Sequence, residues 1–165
     1  MAYRHAGFTL IEMVMMLILI GILAVVFVPR APSKGSLTIA GQAQQLASDL
    51  RYVQALSMTR MTSSSTRYCL KLSATGYSLV TSTSNCTTTV EHPLGISQPV
   101  PTQDAALSWS NLPNNYVVFN GIGAPYTDAA ASSKLASNAV ITLSGGGVSN
   151  TVTISPETGR VMVGP

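Results

Sequence analysis

The feature that most constrains this chain is an apolar run of 21 residues, 8–28, that contains one charged side chain, Glu12. As an α-helix the run extends about 31 Å, enough to cross the hydrocarbon core of a bilayer. A secretory signal has a shorter apolar centre with a small-residue cleavage site after it, whereas the small pair Ala6-Gly7 precedes this run. The basic pair Arg4-His5 favours a cytoplasmic start. The run therefore predicts a membrane anchor with a cytoplasmic N-terminus.

The residues around the start of this run carry a resemblance. The stretch Gly7-Phe8-Thr9-Leu10-Ile11-Glu12 resembles the prepilin-peptidase recognition sequence of type IV pilins and type II secretion pseudopilins. The resemblance implies that prepilin peptidase removes the leader, residues 1–7, by cutting after Gly7. It also implies that Phe8 becomes a methylated N-terminus and that Glu12 serves assembly.

The carboxylate of Glu12 is costly within an apolar helix. At membrane depth it costs about 2.5 kcal/mol or more on insertion scales, so it needs an interfacial position, a proton or a cationic partner. The freed amine of Phe8 in a neighbouring subunit would be such a partner, and a low dielectric would strengthen the pair. We expect Glu12 to act in assembly; the alternative is a polar residue tolerated at the membrane edge.

A second helix is expected beyond Pro29 and Pro32, which predict a hinge at residues 25–32. The residues that follow show apolar side chains at spacings of three and four, typical of an amphipathic helix of about 24 residues with one face toward a core. Polar residues, Asp49 among them, occupy the other positions. The stripe consists of Ile39, Ala43, Leu46, Leu50, Val53 and Ser57.

The remainder of the chain changes to strand patterns. Alternating side chains and glycine-containing turns predict strands at residues 66–72, 76–82, 107–109, 116–119, 139–144, 148–154 and 160–163. The last three are expected to be antiparallel. Residues 84–115 are rich in proline and are expected to be mostly loop.

Two segments near the C-terminus carry a second resemblance. The Phe-Asn-Gly-x-Gly stretch at 119–123 and "TISPETGRVMV" at 153–163 are similar to the sheet domain of minor pilins and pseudopilins of the GspH/FimT type. The resemblance implies an α+β, pilin-like fold in which a long N-terminal helix packs on an antiparallel β-sheet domain. Residues 84–115 match no part of that family. The expected organisation is a leader (1–7), a transmembrane and assembly helix (8–28), a hinge with an amphipathic helix (29–61) and a periplasmic β-sheet domain (62–165).

The chain contains two cysteines, Cys69 and Cys86, both within the segment expected to be translocated. In an oxidising periplasm such a pair is most simply a disulfide, which stabilises the fold by about 3 kcal/mol in the chain-entropy model. The alternative is a metal site with His92 as a third ligand. That set has neither a fourth ligand nor a recognised spacing, so no metal site is predicted.

Residues for catalysis are sparse. Without the leader, His92 is the one histidine of the chain, and it is expected on the surface of a loop beside Glu91 and Pro93. No phosphate-binding loop is present, since "GIGAPY" lacks the dinucleotide pattern. The sequence therefore predicts a non-catalytic protein without a cofactor; a membrane-tethered periplasmic enzyme would need a polar cleft around His92. The remaining carboxylates are expected to be scattered without pairing: Asp49, Glu91, Asp104, Asp128 and Glu157.

Nucleic-acid binding requires a basic stripe. The whole chain carries a net charge of +3, which is a weak signal. Arg51 and Arg60 are nine residues apart and so lie on opposite sides of a helix. A DNA-binding surface would need Arg60, Arg67, Lys71 and Arg160 to converge in three dimensions.

The combined prediction is a non-catalytic minor pilin or pseudopilin. Its expected partners are prepilin peptidase, the bacterial inner membrane and other pilins or pseudopilins, which it would contact through its N-terminal helix in a type IV pilus or a type II secretion pseudopilus. One alternative is a FimT-like subunit for DNA uptake or adhesion at a pilus tip. The alternative from another class is the periplasmic enzyme.

Overall fold

The computed structural model describes residues 8–27, 34–60, 66–82 and 85–165. These residues form two helices, α1 (Leu10–Phe27) and α2 (Lys34–Arg60), and ten strands. The architecture is therefore α+β with antiparallel sheets, as predicted. The predicted leader and the two prolines of the predicted hinge lie outside the described residues. The contacts divide the chain into two units, residues 1–33 and 34–165.

Helix α1 is apolar on every side. Apart from Glu12, the sequence of its 18 residues is uncharged, and every described side chain of the helix is exposed. Among the residues that the structure describes, none of the helices combines the length and apolarity needed to cross a membrane.

Helix α2 is amphipathic, and its apolar stripe is buried. Every side chain of the predicted stripe is at most 2% exposed, so this prediction is confirmed. Ser57, the polar member of the stripe, is accommodated because its hydroxyl donates a hydrogen bond to the Val53 carbonyl oxygen at 3.0 Å. The helix packs against strands of both sheets and closes one continuous hydrophobic core.

The ten strands form two antiparallel sheets. In the first, the order is β3-β2-β1-β6-β7, and β4 also pairs with β2; in the second, the order is β10-β9-β8-β5. The strands are β1 (Arg67–Ser73), β2 (Gly76–Ser82), β3 (Thr88–Thr89), β4 (Val100–Pro101), β5 (Ala106–Ser110), β6 (Tyr116–Phe119), β7 (Pro125–Tyr126), β8 (Ala139–Gly145), β9 (Val148–Ile154) and β10 (Val161–Gly164).

Strand β1 shows how the first sheet separates its two faces. Leu70 and Leu72 belong to the core beneath α2. Because successive side chains of a strand point to opposite faces, Cys69 and Lys71 lie on the face away from α2. There Cys69 packs in a second, smaller cluster with Val80, Cys86, Val118 and Ala129.

Candidate functional site

The first turn of α1 is built by a side-chain cap. The Thr9 hydroxyl oxygen accepts a hydrogen bond from the Glu12 backbone N–H at 3.4 Å, and the Thr9 carbonyl oxygen accepts from the same N–H at 3.1 Å. A threonine followed three residues later by glutamate is the capping-box pattern. Thr9 therefore fixes where the helix begins, a role that the sequence analysis missed although the T-x-x-E spacing signals it.

Glu12 lies in this capped first turn. An acidic side chain there interacts favourably with the positive end of the helix dipole. The side chain is exposed, and none of the described residues forms a hydrogen bond or an ion pair with its carboxylate. The geometry thus presents, at the start of an apolar helix, a carboxylate without a partner in the part of the chain that the structure describes. Of the predicted processing pair, Phe8 is 74% exposed, and Gly7 lies outside the described residues.

The predicted disulfide is present in the structure. Cys69 of β1 and Cys86 are bonded, across a sequence separation of 17. Both are buried in the cluster on the face of the first sheet away from α2. The bond ties Cys86, which lies near the start of the region expected to be mostly loop (residues 84–115), to the central strand of that sheet.

A buried polar cluster joins α2, β2 and the loop after β3. Asp49 Oδ2 accepts hydrogen bonds from the Tyr77 hydroxyl at 2.6 Å and from His92 Nε2 at 3.1 Å. Gln45 Nε2 donates to the two Asp49 carboxylate oxygens, Oδ1 at 3.1 Å and Oδ2 at 3.2 Å. Asp49, Tyr77 and His92 are each 2% exposed. Three donors from the protein thus replace the water that an exposed carboxylate would bind.

This cluster corrects two predictions. His92 is buried, not on the surface, because its ring reaches the Asp49 carboxylate on α2. Asp49 belongs to the buried side of α2, since it lies three residues after Leu46 and so on the same helical face. Away from this cluster, Glu157 accepts a hydrogen bond from Lys134 Nζ at 2.8 Å.

The chemistry available to the cluster is limited by its hydrogen bonds. Burial, followed by the hydrogen bond to Asp49, raises the pKa of Tyr77 well above its usual range, so its hydroxyl remains a donor. His92 Nδ1 accepts from the Leu94 backbone N–H at 3.2 Å. Both ring nitrogens of His92 are therefore engaged in hydrogen bonds within the protein. Among the described residues, no group of three or more His, Cys, Asp or Glu is placed to hold a metal ion.

The two C-terminal segments that carried the second resemblance meet at one side chain of α2. Gln54 Nε2 donates to the Gly123 carbonyl oxygen at 2.8 Å and to the Thr158 carbonyl oxygen at 3.1 Å. Gly159 has a φ of 66°, and a Cβ there would overlap the Gly123 carbonyl oxygen. Glycine is required at this position because the two loops approach so closely. Gln54 was not among the site residues predicted from the sequence.

The four cations considered for DNA contact are spread over different parts of the fold. Arg60 is exposed at the end of α2. Arg67 and Lys71 alternate with Leu70 and Leu72 along β1 and so lie on the face away from α2. Arg160 is exposed just before β10, in the second sheet. Arg67 and Lys71 thus lie on the same face of the first sheet, whereas Arg60 lies at the end of α2, the helix that packs on the other face.

Comparison with protein-family models, with curated proteins and with solved structures finds no match to this chain.

Proposed function

We propose that this protein is a non-catalytic minor pilin or pseudopilin, a subunit of a type IV pilus or of a type II secretion pseudopilus. The observation that carries the proposal is α1, an apolar helix whose described side chains are all exposed and whose first turn holds a carboxylate with no partner among residues 8–27, 34–60, 66–82 and 85–165. A helix that is apolar all round is normally buried in protein or in a membrane. Gly7-Phe8 ahead of the helix resembles a prepilin-peptidase site. This resemblance supports a helix that lies first in the membrane and, after assembly, among the helices of other subunits.

Assembly follows from the chemistry of the first turn. Cleavage after Gly7 leaves the ammonium group of Phe8 within one helical turn of Glu12. When the helices of several subunits pack side by side, the Glu12 carboxylate of one meets the Phe8 ammonium of another. In a low dielectric such a pair is strong, and an unpaired member is costly, so the pairing selects one register between neighbouring helices.

The proposal includes location and partners. Residues 8–28 hold the subunit in the bacterial inner membrane, with its N-terminus in the cytoplasm, where prepilin peptidase acts and methylates Phe8. The α+β unit from residue 34 onward lies in the periplasm, and its disulfide suits an oxidising compartment. The partners of α1 are the membrane first and other pilins or pseudopilins after assembly.

N-terminal mass spectrometry tests the processing step. In a host with active prepilin peptidase, the mature chain is expected to begin at Phe8 and to be N-methylated. Gly7→Leu is expected to abolish cleavage because it fills the small-residue site. The matched control is Gly21→Leu, since a side chain at Gly21 meets nothing within 4 Å; this variant should be processed normally. An intact Met1 in wild-type protein, or cleavage after Ala24, would contradict the proposal.

A further inference from the structure

The face of the first sheet that lies away from α2 carries a pocket of about 350 Å³. Side chains of β1 and β2 and of the segment around β3 line it. The disulfide holds this segment against the sheet, because Cys86 lines the pocket and is bonded to Cys69 of β1. Small-molecule sites have volumes of about 300–1,000 Å³. This pocket falls at the lower end of that range and therefore has room for a ligand of one or two rings.

The charge of the pocket comes from one lysine. Lys71 is the one charged residue among the described residues that line it. In the register of the strands, Lys71 lies beside Ser78 of β2 on one side and Tyr116 of β6 on the other. In the part of the chain that the structure describes, Lys71 forms no ion pair. Because a lysine ammonium is a compact point charge, it favours a ligand with a single negative charge.

Hydroxyl and amide groups of the lining are also available to a ligand. The side chains of Ser78 and Thr89 line the pocket and form no hydrogen bond with any residue that the structure describes. Asn115 Nδ2 donates to the Leu72 carbonyl oxygen at 3.0 Å, which leaves its Oδ1 as an acceptor. Hydroxyls can both donate and accept. These groups therefore match a ligand that carries several hydroxyls in addition to its charge.

Two other classes of ligand fit this pocket less well. A nucleic acid requires several cations along its phosphates, and the described lining supplies one. An extended peptide would add to a free strand edge, but the edge of β2 beside the pocket is paired with β3 and with β4. A small hydroxylated ligand with one carboxylate requires neither a row of cations nor a free edge.

We propose that this pocket binds one uronic acid unit, a sugar ring that carries a carboxylate. The Lys71 ammonium pairs with the carboxylate in a charge-assisted hydrogen bond, and the hydroxyls of Ser78 and Thr89 bind the hydroxyls of the ring. Val80, which also lines the pocket, provides an apolar contact for the C–H groups of the ring. Binding here requires neither α1 nor assembly, so it holds or fails separately from the proposed function.

NMR on the full ¹⁵N-labelled chain in detergent micelles tests the site, with D-glucuronate as the probe. D-Glucose is the neutral counterpart with the same ring, and inorganic phosphate is the anion without a ring. Glucuronate is expected to shift the amides of Lys71, Ser78 and Thr89 saturably and to leave the amides of β8, in the second sheet, unchanged. Glucose should bind at least roughly tenfold more weakly, since it lacks the charge-assisted hydrogen bond.

Two variants locate the charge that recognises the ligand. Lys71→Gln, a change at an exposed position, is expected to lower the affinity for glucuronate at least roughly tenfold. The matched control is Arg67→Gln, because Arg67 lies on the same strand and face but does not line the pocket. This variant should stay within about twofold of wild type, since salt screens the more distant charge.

The amide spectrum of each variant shows whether it is folded. If Lys71→Gln does not fold, Ser78→Ala replaces it as the test and should weaken glucuronate binding roughly threefold to tenfold through the loss of one hydrogen bond. The proposal is overturned by the absence of saturable glucuronate binding, by glucose or phosphate binding as tightly as glucuronate, or by a Lys71→Gln variant that binds glucuronate like wild type.

Discussion

The two helices of this chain differ in the burial of their apolar side chains and in the hydrogen bonding of their acidic residue. In α2, the apolar stripe is buried beneath two sheets, and its acidic residue Asp49 is bound by three donors from the same chain. In α1, every described side chain is exposed, and the acidic residue Glu12 has no partner among the described residues. Both helices obey the same physics of apolar burial and charge satisfaction. Among the described residues, α2 thus has its partners within its own unit, whereas the side chains of α1 are exposed, a difference that the proposed membrane and subunit partners of α1 would account for.

The largest difference between the two helices is expected in the free energy of unfolding when one leucine in each is replaced by alanine. Leu46→Ala in α2 removes a fully buried side chain and should lower the free energy of unfolding by about 2–5 kcal/mol. Leu17→Ala in α1 removes a side chain that is 67% exposed, so the change should stay within about 0.5 kcal/mol. Chemical denaturation of the full chain in detergent, followed by the fluorescence of Trp109 in β5, measures both.

Equal losses for Leu17→Ala and Leu46→Ala would break the comparison, because α1 would then contribute to the stability of the sheet domain. A small loss for Leu46→Ala alone would instead mean that the core beneath α2 is loosely packed.

The second prediction concerns the stability that the disulfide gives to the α+β unit, which contains α2. Replacing Cys69 and Cys86 together by serine opens a loop with a sequence separation of 17 and should cost about 3 kcal/mol in the chain-entropy model. Non-reducing peptide mapping of wild-type protein from an oxidising compartment should show the linked pair. Free thiols in that protein, or a double variant as stable as wild type, would contradict this account.

A smaller effect is expected from the hydroxyl that binds the α2 carboxylate. Tyr77→Phe removes a donor from Asp49 and should cost about 1–3 kcal/mol near neutral pH. Because the pKa of Tyr77 is raised on folding, the folded state keeps this proton at a pH where the unfolded chain loses it. The corresponding stability is present below about pH 10 and falls by up to about 1.4 kcal/mol per pH unit above it.

Urea denaturation at several alkaline pH values checks this sign. The stability difference between wild type and Tyr77→Phe should shrink as the pH rises above about 10. Tyr52→Phe on α2 is the control for removing a tyrosine hydroxyl that donates no hydrogen bond to Asp49. A difference that stays constant or grows with pH would show that the proton on Tyr77 is not held by folding.

Much of the α+β unit could be predicted from the sequence, because its patterns are local. The stripe of α2 is buried as predicted. Strands β2, β6 and β9 match the predicted residues, and β1 and β10 are displaced by one residue. The two-residue strands β3, β4 and β7 were not predicted, since so short a strand exists through its long-range partner and not through its own periodicity.

The parts of the site that were missed depend on tertiary contacts. The sequence pattern places Asp49 on the polar side of an amphipathic helix. Its burial depends on hydrogen bonds from Tyr77 and His92, which lie in distant segments. His92 lies beside proline in a loop, which normally indicates the surface. Gln54 acts by joining two loops to α2. Thr9 is different, because its capping pattern is local and was available in the sequence.

The central claim is that the Glu12 carboxylate serves a neighbouring subunit and not the fold of its own helix. Three variants distinguish these roles. Glu12→Leu removes the carboxylate, Glu12→Gln removes the charge but keeps a side chain that suits the capping box, and Thr9→Ala weakens the cap but keeps the charge. All three leave the cleavage site between Gly7 and Phe8 unchanged, so insertion and processing should match wild type.

The decisive measurement is site-specific cross-linking and co-purification of the processed subunit with its pilin partners, alongside the yield of pili or of secreted protein. We predict that Glu12→Leu and Glu12→Gln both lose incorporation at least tenfold, since an unpaired ammonium in a low dielectric costs several kcal/mol, about 3–5. Thr9→Ala should retain most of it. Normal incorporation of both Glu12 variants, or a loss in Thr9→Ala as large as theirs, would contradict the claim that Glu12 pairs with a neighbouring subunit.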